Sequence, residues 1–182
     1  MNIATDRRLI LLAARGDQDA FGELVHHHQS SVFNIAYRML GSHSDAEDVA
    51  QEVFIRAYRS FETFDTERPL MPWLKRITIN VCLNRIKQNR PTPSVDDLRQ
   101  QPEEPSPGPE AQTANREREA QVRTAILSLS PQYRAVIELR HFQDLSYSEI
   151  SKVLDRPITS VKSDLFRARK ILGEKLKEYI TK

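Results

Sequence analysis

Between Ser146 and Lys170 the chain has the residue types for contact with a nucleic acid, at a spacing that could present them. The segment reads as two short helices about a tight turn at Asp155-Arg156-Pro157, with Thr159 placed to cap the second. This is the pattern of a helix-turn-helix, whose second helix fits the DNA major groove. Helical periodicity buries Val161, Leu165, Ala168 and Leu172 and leaves Thr159, Lys162, Ser163, Phe166 and Lys170 outward, with Arg167 at the edge. A phenylalanine among polar neighbours is poorly explained by a solvated face. In a groove its ring could meet a thymine methyl, Lys162 or Arg167 could reach guanine acceptors, and Ser163 a base or phosphate.

A second group lies in a stretch free of acid. From Arg68 to Val95 there is no Asp or Glu, while Arg68, Lys75, Arg76, Arg85, Lys87 and Arg90 are present. Pro72 can occupy the first turn of a helix running to about Gln88. Two apolar rows, Leu74-Ile77-Val81 and Ile79-Cys82-Leu83-Ile86, bury most of its circumference. The remaining stripe is Trp73, Arg76, Asn80, Asn84 and Lys87, whose amides, cations and ring suit base-edge bonding, phosphate contact and stacking. A Trp plugging the core beside ordinary polar residues would give the same stripe, and the missing acids favour a polyanion. A third group sits on the helix before it. Ala46, Ala50, Val53, Phe54, Ala57 and Phe61 share a core face, opposite Asp45, Asp48, Gln51, Glu52, Ile55 and Arg59. The pattern alone favours a solvated surface for that face, and Ile55 within it hints at a protein partner.

The elements that must hold these groups are helical. Leu9, Leu12, Ala13, Ala20, Phe21, Leu24, Val25, Val32, Ile35, Ala36 and Leu40 keep a helical spacing with no competing strand pattern. Gly41 fits a C-terminal stop, and Ser44 with Glu47 matches a capping box, as does Ser146 with Glu149. Further helices are expected on Val122-Ala125-Ile126-Leu129, ending before Ser130-Pro131, and from about Gln132 to His141. Residues 1–90, 91–115 and 116–182 carry net charges of +1, −4 and +5, and the middle piece holds six of the ten prolines. An acidic, Pro-rich run with almost no large apolar side chains cannot bury enough surface to fold. The expected fold is all-α: two small helical domains, 1–90 and 116–182, joined by a flexible linker over 91–115, with the helix-turn-helix in the second.

Other classes find little support. No apolar run is long enough to span a membrane, the N-terminus lacks a signal-peptide pattern, and the single Cys82 fits a reducing compartment, so a cytoplasmic protein is expected. His26-His27-His28 diverge by about 100° per residue on a helix and cannot converge on one metal ion. No phosphate-cradling glycine loop exists and Cys82 lies on a buried row, so neither an enzyme nor a cofactor is expected. A stand-alone helix-turn-helix repressor or activator would need only the second domain. It leaves the Asp45 to Arg59 face, the Arg76 to Lys87 stripe and the linker without a purpose.

Together, Asp45-Ala-Glu-Asp-Val-Ala-Gln-Glu-Val-Phe-Ile-Arg-Ala-Tyr-Arg-Ser-Phe61, Pro72-Trp-Leu-Lys-Arg-Ile-Thr-Ile-Asn-Val-Cys-Leu-Asn84, Leu129-Ser-Pro131, Leu145-Ser-Tyr-Ser-Glu-Ile150, Val161-Lys-Ser163 and Phe166-Arg-Ala-Arg169 resemble the extracytoplasmic-function sigma factors of bacterial RNA polymerase. The resemblance runs in order through nearly the whole chain. It implies that Asp45, Asp48, Gln51 and Glu52, with Ile55 and Arg59 beside them, bind the clamp coiled coil of core RNA polymerase. It assigns Arg76, Asn80, Asn84 and Lys87 to the minus-ten promoter element, with the Phe64 to Met71 loop holding an extruded base. It assigns Lys162, Ser163, Phe166 and Arg167 to the duplex minus-thirty-five element. It also implies a linker in the RNA-exit path and an inhibitory anti-sigma partner. Two departures stand out: Asp164, where relatives often carry a basic residue and an acid would sit near phosphate, and the proline-rich loop Glu67-Arg-Pro-Leu-Met-Pro72.

Overall fold

The computed structural model describes residues 3–88 and 110–180. Among them are eight α-helices and no strand, as the apolar periodicity predicts. Most of the expected linker lies outside the described residues. Its last part is helical, because α5 starts at Glu110 and runs to Leu127.

The first half is built on α1 (Ile3–Ala13), α2 (Gln18–Leu40), α3 (His43–Ser60) and α4 (Leu70–Gln88). Asp17 caps α2 by accepting from the Ala20 backbone N–H, and Gly41 ends it in the left-handed conformation at φ 81°. A Cβ there would also lie 2.7 Å from the Cδ1 end of the Leu127 side chain of α5, which would have to shift. The α3 cap differs from expectation. Ser42, not Ser44, accepts from the Asp45 backbone N–H, and its hydroxyl lies 3.1 Å from that of Ser44. Two serines two residues apart both satisfied the pattern, and the helix begins one turn-fraction earlier than the capping box implied. Val32, Ile35, Ala36 and Met39 of α2 are sealed against Ala46, Val49, Val53 and Ala57 of α3 and Leu74, Ile79 and Cys82 of α4.

The second half contains α5, α6 (Pro131–Ile137), α7 (Tyr147–Leu154) and α8 (Ile158–Ile180). Ser130 caps α6 with Pro131 in its first turn. The helix expected to reach His141 changes character: Glu138–Phe142 is a π-helical turn closed by the Gln143 N–H donating to the Glu138 carbonyl. Ser146 and Glu149 form the anticipated reciprocal capping box of α7. Asp155 takes a left-handed conformation at φ 53°, and the Ser151 hydroxyl donates to the Arg156 carbonyl at 2.5 Å, which fixes the turn into α8. Thr159 therefore does not cap α8: the helix already includes Ile158, and the Val161 N–H reaches back to Pro157. The halves touch. Helix α4 packs on α7 and α6, and α2 on α5 and α6, so one apolar core runs through both.

Candidate polymerase and promoter interfaces

On α8 the buried row is as expected: Val161, Leu165 and Ala168 are closed to solvent, with Leu172 half-buried. Thr159, Lys162, Ser163, Phe166, Arg167 and Lys170 are all exposed. Phe166 is 71% exposed, the largest value among the exposed large apolar residues. The Lys162 ammonium lies 5.9 Å from the Tyr147 ring of α7, and the Arg140 guanidinium 5.6 Å from it, so cations flank the helix pair. Ile158, 41% exposed and one turn before Lys162, continues this outward row, and sequence reading passed over it. Asp164 corrects the expectation of an acid facing phosphate. It is buried and paired with Arg156 at 2.6 Å, so its carboxylate braces the turn against the recognition helix.

On α4, Arg76, Asn80, Asn84 and Lys87 are exposed on one stripe. Trp73 begins the same row, but its half-buried ring packs 5.9 Å from Phe61 and 4.8 Å from Phe64. It anchors the loop before α4 rather than standing free for stacking. That loop is held at both ends by buried Phe64 and Leu70, and Arg68 pairs with Asp65 at 2.9 Å. Thr78, buried beside the stripe, donates its hydroxyl to the Leu74 carbonyl and leaves no unpaired group.

On α3 the acidic face is partly engaged by its neighbour. Arg85 of α4 donates to Asp45 at 3.2 Å and to Asp48 at 2.9 Å, and these two carboxylates hold its guanidinium above its ordinary pKa. Glu52 accepts from Arg56 at 2.5 Å. Gln51, Ile55 and Arg59 are exposed, and Tyr58, itself 47% exposed, stands beside Ile55 with its ring edge-on to Phe21. An apolar centre within a polar rim is the anatomy of a protein-binding face. Tyr58 was legible one turn from Ile55, whereas the Arg85 bridge joins separate helices and leaves no trace in the spacing of either.

No group of three His, Cys, Asp or Glu side chains among the described residues is placed to hold a metal ion. His28 is buried next to Asp6, His27 is 3.0 Å from the same carboxylate, and His26 faces solvent. No helix among the described residues is long and apolar enough to cross a membrane.

Comparison with known proteins gives the family. Sigma-70 region 2 matches residues 24–92, and Sigma-70 region 4 matches residues 119–172. The chain is 34% identical over 181 residues to the ECF RNA polymerase sigma factor SigW of Bacillus subtilis, covering 94% of this chain and 97% of that protein. It is 35% identical to the ECF RNA polymerase sigma-E factor of Escherichia coli K12, covering 97% and 96%. The solved structure of CnrH in complex with the cytosolic domain of CnrY aligns at a TM-score of 0.71 and 28% identity, covering 96% of this chain and 98% of that one. The chain belongs to the extracytoplasmic-function sigma factors. It is a factor of transcription initiation that works with RNA polymerase on promoter DNA, in a family not known for enzymes, and the stand-alone repressor or activator is disfavoured.

Proposed function

We propose that this sigma factor divides its work between residues 1–90, which bind polymerase and the minus-ten element, and residues 116–182, which read the minus-thirty-five element. Ile55 and Tyr58 form the apolar centre of the polymerase contact, with Asp45, Asp48, Gln51, Glu52 and Arg59 around them. Arg85 holds Asp45 and Asp48 in position by the hydrogen bonds that join α4 to α3. Arg76, Asn80, Asn84 and Lys87 contact the minus-ten strand. Extruding a base costs a few kcal/mol of unstacking, which fixed polar contacts and the loop between Phe64 and Met71 offset. Lys162, Ser163, Phe166 and Arg167, with Thr159 and Lys170 at the ends, enter the major groove of the minus-thirty-five element.

The observation that carries this reading is Phe166, a ring 71% exposed beside Lys162, Ser163, Arg167 and Lys170, with Ile158 continuing the row. A ring standing among groups that can reach phosphates and base edges suits contact with a thymine methyl in the major groove. The protein works without a cofactor and without chemistry of its own, in the cytoplasm where its polymerase resides. An inhibitory protein partner covers part of these surfaces between signals; CnrH, a similar protein, is solved in complex with a protein domain, the cytosolic domain of CnrY. The test is to add the purified chain to core RNA polymerase on a genomic promoter pool and map the starts. Transcripts that depend on the chain support the reading. DNA binding with no polymerase association overturns it.

A further inference from the structure

Two members of the triplet His26-His27-His28 meet one carboxylate across the contact of α1 with α2. The last turn of α1 is anchored by apolar burial at Ile10 and Ala13. Its first turn is anchored, among the described side chains, by Asp6. That carboxylate lies with Oδ1 3.0 Å from Nδ1 of His27 and Oδ2 3.3 Å from Nε2 of His28. The His27 contact is a hydrogen bond; His28 is 1% exposed, and its contact is close without being aligned as one. Arg7, the next residue of α1, pairs with Glu67 at 3.1 Å. Glu67 stands in the exposed middle of the loop between Phe64 and Leu70. Within that loop Asp65 accepts from the Glu67 N–H at 3.2 Å and pairs with Arg68 at 2.9 Å. Those bonds are local, whereas Arg7 reaches the loop from 60 positions away.

We propose that α1 positions the loop before α4 for promoter opening, with Asp6 and Arg7 as the positioning residues, and that protonation of His28 releases it. This rests on the proposed role of the Phe64 to Met71 loop in holding the extruded base. An exposed pair such as Arg7 with Glu67 is worth little between two free side chains. It restrains the loop here because Arg7 is carried on a docked helix, next to the residue that docks it, so less freedom is lost when the pair forms. The anchor is sensitive to acid because it is buried. With Nε2 of His28 turned to Asp6, a second proton goes on Nδ1, which is closed to solvent and has no acceptor. Burial pushes the His28 pKa down; Asp6 opposes this and His27 adds to it. Among the described residues, no charged side chain of the other helices packed on α2 bears on it. A histidine that binds its proton less readily docked than undocked contributes stability that is complete above about pH 6.5, its ordinary value, and is lost as pH falls through the lower docked value. Ile10 and Ala13 keep the far end of α1 in the core, so acid frees its first turns, and Arg7 with them, while the domain stays folded.

The test uses the full chain and its holoenzyme. Hydrogen exchange, corrected for its intrinsic pH dependence, reads the protection of residues 3–13 and 64–71 in the free protein. A fluorescent base analogue in the minus-ten element reads promoter opening by the holoenzyme. The variants are Arg7→Ala, the exchanged pair Arg7→Glu with Glu67→Arg, and His28→Leu, with His28→Gln as a second replacement that does not titrate should leucine disturb the fold. Arg7→Ala should leave α1 protected, loosen the loop and slow opening about two- to fivefold, the range of an exposed pair, and the exchanged pair should restore both. In wild type the protection of both segments should fall from about pH 7.5 to about pH 5.5, either side of the ordinary histidine value. Over that range the opening rate of His28→Leu relative to wild type should rise, and the ratio removes the pH dependence of the polymerase itself. A loop equally protected in wild type and Arg7→Ala overturns the positioning role. A ratio independent of pH for both His28 variants overturns the acid release. A loosened loop with unchanged opening takes the base-holding role from the loop, and the proposal's effect on promoters with it. Failure of the sigma reading appears separately, as wild-type protein that supports no transcripts.

Discussion

Replacing Phe166 by alanine separates a DNA contact from a structural side chain. A phenylalanine side chain carries about 200 Å² of surface, and Phe166 leaves 71% of it in water. About 140 Å² is therefore available to a partner, and a groove wall that covers half removes about 70 Å². At about 25 cal/mol per Å² this is about 1.8 kcal/mol, or about a 20-fold loss of affinity for a minus-thirty-five duplex. The same substitution should leave folding within about 0.5 kcal/mol of wild type, since the ring contributes little to the core. The assay is competition of the variant and wild-type holoenzymes for a duplex bearing the element, at one salt concentration, with a thermal melt of each free protein. Unchanged affinity would refute the placement of Phe166 in the groove. A melting temperature lowered by more than about 5 °C, the scale of a 1 kcal/mol change in a small domain, would show the ring to be structural.

Other outcomes follow from the same geometry. Ile55→Ala should weaken association with core polymerase while leaving the melting temperature close to wild type, because the side chain is 51% exposed; pull-down of core subunits and a melt check both. Gly41→Ala should destabilise by about 1–2 kcal/mol for the left-handed backbone, with the Leu127 side chain shifting to make room, read by denaturant unfolding. Burial pushes the Cys82 thiol up to about 12, so its thiolate is scarce at pH 8 and a thiol reagent should label it slowly until the fold is disrupted. Glu149 is held below the ordinary carboxylate range by its bonds to Ser146. The capping contribution is thus complete above the unfolded-state pKa and is lost as pH falls through the lower folded one; Ser146→Ala should flatten that acid-side dependence in a pH series of melts.

Much of this was legible in local patterns. Helix α4 follows from two apolar rows and Pro72, and the entry to α7 from Ser146 and Glu149, because those signals lie within one or two turns of chain. Thr159 and Ser44 failed as caps for the opposite reason: several residues near a helix start satisfy the same rule, and only backbone geometry chooses among them. The orientation of Asp164 depends on Arg156 across a turn, and the environment of Asp45 and Asp48 on Arg85 in another helix. Arg7 and Glu67 are separated by 60 positions, and no periodicity links them. Exposed stripes were readable as chemistry, whereas the pairs that restrain them arise from tertiary packing.

The π-helical turn at Glu138–Phe142 has a meaning for length variation. Such a turn is an α-helix that has accepted one surplus residue, so deleting a single residue there could restore regular α-helical bonding. Because the wide turn takes up the surplus residue within itself, the segments on either side would keep nearly the headings they have now. A one-residue change in length at this point would be absorbed in the turn, with no alteration to the side chains proposed to read DNA.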